Sequence, residues 1–284
     1  MMWRFAGREI DLTSRGVILG IVNVTPDSFS DDGLSGDTQA AVRHGLRLLG
    51  EGADILDIGG ESTRPGALPV SEEEELARVI PVIEGLRAAT DAPLSVDTSK
   101  ASVAKAALAA GADIVNDVTA LGDPLMGGAV AAAGAGAILM HMQGTPAVMQ
   151  DAPSYGDVVE EVAKFLSERR AAALACGVPS DAIILDLGLG FGKTAAHNLA
   201  LLRGIPSLRS LGSPILIGHS RKSFLSKIAG GEDLPGFEGR LLPGVAITAM
   251  ARQLGAMLFR VHDPAPHRTA LRTAESVITG EASA

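Results

Sequence analysis

Eight short apolar runs, each too short for a helix, alternate along this 284-residue chain with longer segments of helical spacing. The runs are VILGIV (17–22), DILDIG (54–59), PLSVD (93–97), DIVND (113–117), AILMH (137–141), AIILD (182–186), PILIG (214–218) and AMLFRVH (256–262). None alternates strictly between apolar and polar residues, which is the pattern of parallel strands covered on both faces. The intervening segments read as helices. Residues 37–52 have Asp37 as N-cap and Gly52 as the end. In 71–89, Ser71 precedes Glu74 at the capping-box spacing. Residues 99–111, 124–136, 155–177 and 239–255 behave alike. A weak repeat, met as EGADIL, AGADIV, AGAGAIL and LGAMLF, reads as a helix-ending glycine followed by the next strand. Eight strands alternating with helices, with no linker to split them, predict an α/β fold of the (β/α)8 TIM-barrel type, one domain over residues 1–284. A doubly wound sheet is the alternative.

Composition narrows the function. A formal net charge of −9 argues against a nucleic-acid or membrane-surface partner. One cysteine, Cys176, rules out a disulfide framework and a thiolate zinc site. The histidines lack metal-ligand spacing. No stretch reads as a signal peptide or membrane span, so the expected location is cytoplasmic.

Barrel enzymes keep their active sites at the C-terminal ends of the strands. Here nearly every run ends in a polar residue: Asn23, Asp97, Asn116, His141, Asp186, the Ser220-Arg221-Lys222 triplet, and Arg260 with His262. Two carboxylates and an amide from Asp97, Asn116 and Asp186 can read the donor edge of a heterocycle such as an aminopyrimidinone. Each Asp alone could instead cap the following helix. Met140 can pack on a ligand ring or in the core.

Four further stretches carry chemistry. DLGLGFGKT (186–194) lacks the first glycine of a nucleotide phosphate loop, but Phe191 between glycines is a candidate wall for an aromatic substrate. GHSRKSF and FRVHDP supply Arg, Ser and His where barrels often bind phosphate; an Arg–Asp rim pair with Asp263 is the alternative. ESTRPGA suggests a type I or II turn around Pro65-Gly66 that presents Thr63 and Arg64. The polar stretch 24–37, after the first run, reads as a lid over a bound ligand. The acidic run Glu72–Glu75 reads as a solvated helix start.

IVNVTPDSFSDDG, DIGGESTRPGA, SVDTSK, VNDV, LMHMQGTPAVMQ, DLGLGFGKT, GHSRKSF and RVHD, in this order across residues 17–263, together resemble the dihydropteroate synthases of the pterin-binding family. The resemblance implies a (β/α)8 barrel that condenses 6-hydroxymethyl-7,8-dihydropterin diphosphate with 4-aminobenzoate, giving 7,8-dihydropteroate and pyrophosphate. It implies that Asp97, Asn116, Asp186 and Lys222, with Met140 against the ring, hold the pterin. Thr63, Arg64, Arg260 and His262 match the diphosphate contacts. Thr63, Pro65, Phe191 and Ser220 match the aminobenzoate slot. Asn23 matches the ligand of a Mg2+ cofactor, and Arg260, Lys222, Asp97 and Asp186 carry the catalysis. A homodimer through late helices and sensitivity to sulfonamides as competitors are implied too. One departure stands out: Leu187 occupies a position that is commonly proline, which is expected to loosen the Phe191 loop. A methyltransferase-type pterin barrel and a non-catalytic paralogue remain alternatives.

Overall fold

In the computed structural model, which describes all residues except 14, 26–37, 65, 231–237 and 282–284, the chain opens with an antiparallel hairpin, β1 (Met2–Phe5) and β2 (Arg8–Asp11). Then follow β3 (Val17–Asn23), α1 (Thr38–Gly50), β4 (Ile55–Gly59), α2 (Glu72–Ala89), β5 (Leu94–Asp97), α3 (Ala101–Ala109), β6 (Ile114–Asp117), α4 (Met126–Ala133) and β7 (Gly136–Met140). The second half holds α5 (Val158–Ala175), β8 (Ile183–Asp186), α6 (Ala195–Leu208), β9 (Ile215–Ile217), α7 (Phe224–Ile228), α8 (Glu238–Leu254), β10 (Leu258–Val261) and α9 (Pro264–Thr279). Strands β3 to β10 are all parallel, and β10 closes on β3 to complete an eight-stranded barrel. Each expected run supplies one barrel strand.

The repeated Gly-Ala motif works as read. Gly52, Gly111, Gly134 and Gly255 all have positive φ, where a side chain would be strained, and each turns a helix end toward the next strand. The α2 start is half of what its spacing suggests. Ser71 Oγ accepts the Glu74 N–H at 3.2 Å, but the Glu74 carboxylate pairs with Arg78 instead of reaching back. The Asp37 cap and most of the 24–37 lid lie outside the described residues.

Side chains alternate along a strand, so every second residue faces the barrel axis. The inward set at the lower end is apolar: Val17, Leu19, Ile55, Ile114, Ile138, Ile184, Leu216 and Leu258 form one buried cluster. The hairpin, which no pattern above predicts, seals this end with Trp3, Phe5 and Leu12. Trp3 is fully buried and donates its indole N–H to Ala182 C=O at 3.1 Å. Trp3→Ala removes the centre of that seal and is expected to cost about 3–5 kcal/mol, read as a lowered midpoint in urea unfolding.

Two residues further along each strand, the inward positions change character. After Ile55 comes Asp57; after Ile114, Asn116; after Ile138, Met140; after Ile184, Asp186; after Leu216, Gly218; and after Leu258, Arg260. The barrel is therefore an apolar plug below a polar cup.

Candidate functional site

One cavity at the cup is lined by Thr63, Asp97, Asn116, Val118, Met140, Asp186, Phe191, Gly218, Lys222 and Arg260. Its polar members come from six different strand ends or the loops after them. Gly218 supplies no side chain, which leaves open the space beside Asp186 Oδ2 and Arg260.

Arg260 organises the floor. Its Nε donates to Asp57 Oδ2 at 2.5 Å and its Nη2 to Asp97 Oδ2 at 2.6 Å, while neither contact uses Nη1. Asn116 Nδ2 also donates to Asp57 Oδ2, at 3.1 Å, so the Asn116 side-chain oxygen is turned to other donors. Asp57 is fully buried, and its Oδ1 has no hydrogen-bond partner among the described residues. Asp97 does not cap α3; the first helical N–H, on Ala101, donates to Asp123 at 3.0 Å. Burial raises the Asp97 and Asp186 carboxyls above the usual range, and the cations of Arg260 and Lys222 pull the other way. Counted as ionised, Asp57, Asp97 and Asp186 outnumber the cations in direct reach of the cup, Arg260 and Lys222, by one; beyond them Lys193 acts on Asp186, and Glu75 and Asp117 act on Asp97. Such a cup favours a flat ligand that carries N–H donors or gains positive charge.

Asp186 Oδ1 accepts the Gly188 N–H at 2.8 Å and so starts the Phe191 loop instead of a helix. α6 is capped by Thr194 with His197. Gly188, Gly190 and Gly192 all have positive φ, and a Cβ on Gly190 would lie 2.9 Å from Lys222 Cδ. That bare backbone lets the Lys222 ammonium reach Leu189 C=O and sit 4.1 Å from the Phe191 ring centroid. Burial lowers Lys222 to about 7, with Asp186 acting against it. Lys193, buried beneath the loop, donates to Gly188 and Phe191 carbonyls at 2.9 Å each and meets His141 Nδ1 at 2.9 Å. His141 is therefore a neutral support for this pin, pushed down to about 3 by burial and Lys193. At the root of this loop the Leu187 side chain is fully buried and its N–H donates to Leu216 C=O at 3.4 Å.

The rim is cationic. Ser220 Oγ accepts the His262 backbone N–H at 3.2 Å and lies 3.0 Å from His262 Nδ1. The hydroxyl can donate to Nδ1, which leaves the imidazole hydrogen on Nε2, or use its second lone pair to accept a hydrogen from Nδ1. Burial depresses His262 first, followed by Arg221, Arg260, Arg64 and Lys222, four cations gathered around one imidazole. Together they favour the neutral ring. Arg221, at a strained φ of 61°, makes the rim pair with Asp263, at 3.2 and 2.8 Å. Arg260, which the same alternative covered, points inward instead. Ser220, expected at the aminobenzoate slot, is engaged with His262 and is not among the cavity's lining residues. Arg64 is exposed beside a turn in which Ala67 N–H donates to Arg64 C=O at 3.0 Å and Gly66 has φ +79, as in a type II turn. Pro65 lies outside the described residues. Asn23 ends β3 next to Gly59 on the same end of the barrel. Among the described residues no three His, Cys, Asp or Glu side chains form a metal site. The Asn23 amide oxygen is a hard donor that suits Mg2+ only together with oxygens carried by a substrate.

Sequence reasoning missed Asp57 and Lys193. A carboxylate in the middle of DILDIG, two residues from the strand end, was the available signal for Asp57. Lys193 gave none, because its role depends on three carbonyls that converge only in the folded loop.

Against known proteins, a family model described as pterin binding enzyme matches residues 19–262. The dihydropteroate synthase of Escherichia coli (strain K12) is 41% identical over 275 residues, 97% of this chain and 96% of its own. A solved structure of the Xanthomonas albilineans dihydropteroate synthase with 4-aminobenzoic acid has a TM-score of 0.90 at 50% identity, covering 98% of each chain. A structure of dihydropteroate synthase from the same organism in complex with 7,8-dihydropteroate has a TM-score of 0.87 at 47% identity, covering 98% of this chain and 99% of that one.

Proposed function

The chain belongs to the pterin-binding enzyme family, among the dihydropteroate synthases, and from that premise we propose that its barrel mouth condenses 6-hydroxymethyl-7,8-dihydropterin diphosphate with 4-aminobenzoate. The products are 7,8-dihydropteroate and pyrophosphate, in folate biosynthesis. The observation that carries the reading is a single cup in which Asp97, Asn116, Asp186, Lys222 and Arg260 meet, with Arg64 and Arg221 near His262 at its rim.

The pterin lies on Met140 and Phe191 at the cup, its amine and ring N–H groups on Asp186 and the Asn116 oxygen. The bond to break joins the pterin CH2 to a diphosphate oxygen. As it lengthens, positive charge grows on the CH2 and spreads into the electron-rich ring, where the surplus carboxylate charge of Asp97 and Asp186 stabilises it. The departing diphosphate meets Arg260 Nη1, His262, Thr63 and Arg64. Mg2+ travelling with the diphosphate, held by Asn23, would neutralise part of its charge. 4-Aminobenzoate binds between Phe191 and the Thr63–Pro65 turn and attacks the CH2 with its amine. No strong general base is needed, since the arylammonium formed is acidic enough to lose its proton to water. The 24–37 lid, mostly outside the described residues, is assigned to excluding water from the cation.

Incubation with both substrates and Mg2+ is expected to yield dihydropteroate and one pyrophosphate per turnover, with a sulfonamide competing against 4-aminobenzoate. Absence of pyrophosphate release overturns the reading, and turns attention to a methyltransferase-type barrel, which needs no diphosphate rim.

The proposed assembly is a homodimer. Leu242, Ala246 and Met250 form an exposed apolar stripe on α8, and Val277 and Ile278 lie exposed on α9, which packs against α8. Met250→Glu is expected to convert the dimer to monomer in sedimentation velocity; an unchanged sedimentation coefficient places the interface elsewhere. Residues 1–284 are taken as one pterin-binding domain. No helix among the described residues is long and apolar enough to cross a membrane. The proposed location is the cytoplasm, whose reducing conditions suit a chain with one cysteine.

A further inference from the structure

Thr63 lines the cup from a loop whose root is tied down away from any substrate contact. Gly60, at that root, lies so close to α2 that a Cβ there would be 2.7 Å from Val79 Cγ1. Arg78 Nη1, also on α2, donates to Gly60 C=O at 2.6 Å. The next residue, Glu61, is ion-paired with Lys100, and the same ammonium donates to Glu75 Oε2 at 2.5 Å. Glu75 is fully buried and its Oε1 has no hydrogen-bond partner among the described residues. Glu61, Thr63 and Glu75 line a second cavity together with Asp97, Thr98 and Ser99. Lys100 follows directly on Asp97-Thr98-Ser99, at the start of α3.

We propose that Lys100 is a positioning residue: by bridging Glu75 on α2 to Glu61, it sets the Thr63–Arg64 loop at a fixed height above the Asp97 end of β5. The bridge joins the two halves of the site. Asp97 belongs to the pterin cup, Thr63 reaches the cup from the loop proposed to meet the diphosphate and the aminobenzoate, and the ammonium three residues after Asp97 holds the residue two before Thr63. Burial works against the charge on Lys100, but its hydrogen bonds to Glu61 and Glu75 outweigh it and hold the ammonium protonated. A buried carboxylate at Glu75 would be too costly for a mere helix contact. Its side chain instead gives the bridge a rigid anchor, while partly exposed Glu61 is the end that carries the loop.

The inference rests on the synthase reading, so wild-type dihydropteroate formation is established first. Glu61→Gln cuts the loop tether and leaves the buried Glu75–Lys100 pair intact. It is expected to raise KM for 4-aminobenzoate about tenfold, with a smaller rise of about threefold in KM for the pterin diphosphate, whose phosphates share Thr63 and Arg64 but are also held by Arg260. Lys100→Arg, which can also bridge two carboxylates, is expected to retain wild-type KM values. The paired change Lys100→Gln with Glu75→Gln removes the buried charges together and avoids a stranded carboxylate. It is expected to reproduce the Glu61→Gln phenotype, and adding Glu61→Gln to it is expected to change nothing further. Wild-type KM for 4-aminobenzoate in Glu61→Gln, additivity across the set, or equal rises in both KM values would each overturn the proposal. A wild-type enzyme that forms no dihydropteroate overturns the synthase reading instead.

Discussion

Arg260→Leu is expected to lower kcat by about 1,000-fold or more, with the variant still folded at 25 °C. The guanidinium holds two carboxylates, fully buried Asp57 and cavity-lining Asp97, at 2.5 and 2.6 Å. Without it, two buried like charges confront each other, and one of them takes up a proton. The net charge of the cup is then unchanged, but one of the carboxylates is neutral and the pair is no longer held in place, so the site loses both its arrangement of charge around the pterin cation and the Arg260 cation proposed to meet the departing diphosphate. Both losses fall on the transition state more than on bound substrate, so kcat suffers more than KM. Breaking the buried cluster also costs about 3–5 kcal/mol of stability, and a thermal melt separates that loss from the chemical one. Arg260→Lys keeps the charge but cannot span two carboxylates with a planar fork, and is expected to fall between wild type and Arg260→Leu. Single-turnover kinetics provide the measurement, and a kcat within tenfold of wild type in Arg260→Leu would remove Arg260 from the mechanism.

Asp186→Ala is expected to weaken pterin binding about 100-fold, near 3 kcal/mol for hydrogen bonds from a bound heterocycle to a buried charged acceptor. Asp186 is 3% exposed and sits at the end of β8, with one oxygen committed to Gly188 and the other beside Gly218. Its removal also strips Lys222 of the carboxylate that supports its charge. Asp186→Asn preserves shape but replaces an acceptor with a donor, so it is expected to lose nearly as much. That pairing distinguishes recognition of a donor edge from packing. Titration calorimetry with a pterin lacking the diphosphate isolates this contact from the rim, and unchanged affinity in Asp186→Ala would take the residue out of the pterin site.

The cup was readable in the chain because three carriers of information are local. Apolar runs of five to seven residues mark the strands, glycines mark the helix ends, and inward-alternating residues near the C-terminal ends of barrel strands can reach only the mouth. Asp97, Asn116 and Asp186 follow from those rules. Lys222 and Phe191 were legible as loop residues, though not the contact between them, which exists because Gly190 leaves room for the lysine stem. Asp57 was hidden within its own run. Its burial became intelligible only when Arg260, 203 positions later, was found against it.

Periodicity, glycine placement and the chemistry of the strand ends were enough to specify a parallel α/β barrel with a polar mouth, since each rests on the backbone geometry of a few neighbouring residues. Pairing across the barrel was another matter. Which carboxylates share Arg260, which carbonyls Lys193 gathers, and which loop Lys100 restrains all depend on residues far apart in the chain being brought within about 3 Å, the range over which a hydrogen bond acts. The floor of the barrel follows the same reasoning. The opening hairpin carries too few residues for a period to register, and it becomes a necessary element only once the barrel has closed and left an apolar end for Trp3 to cover.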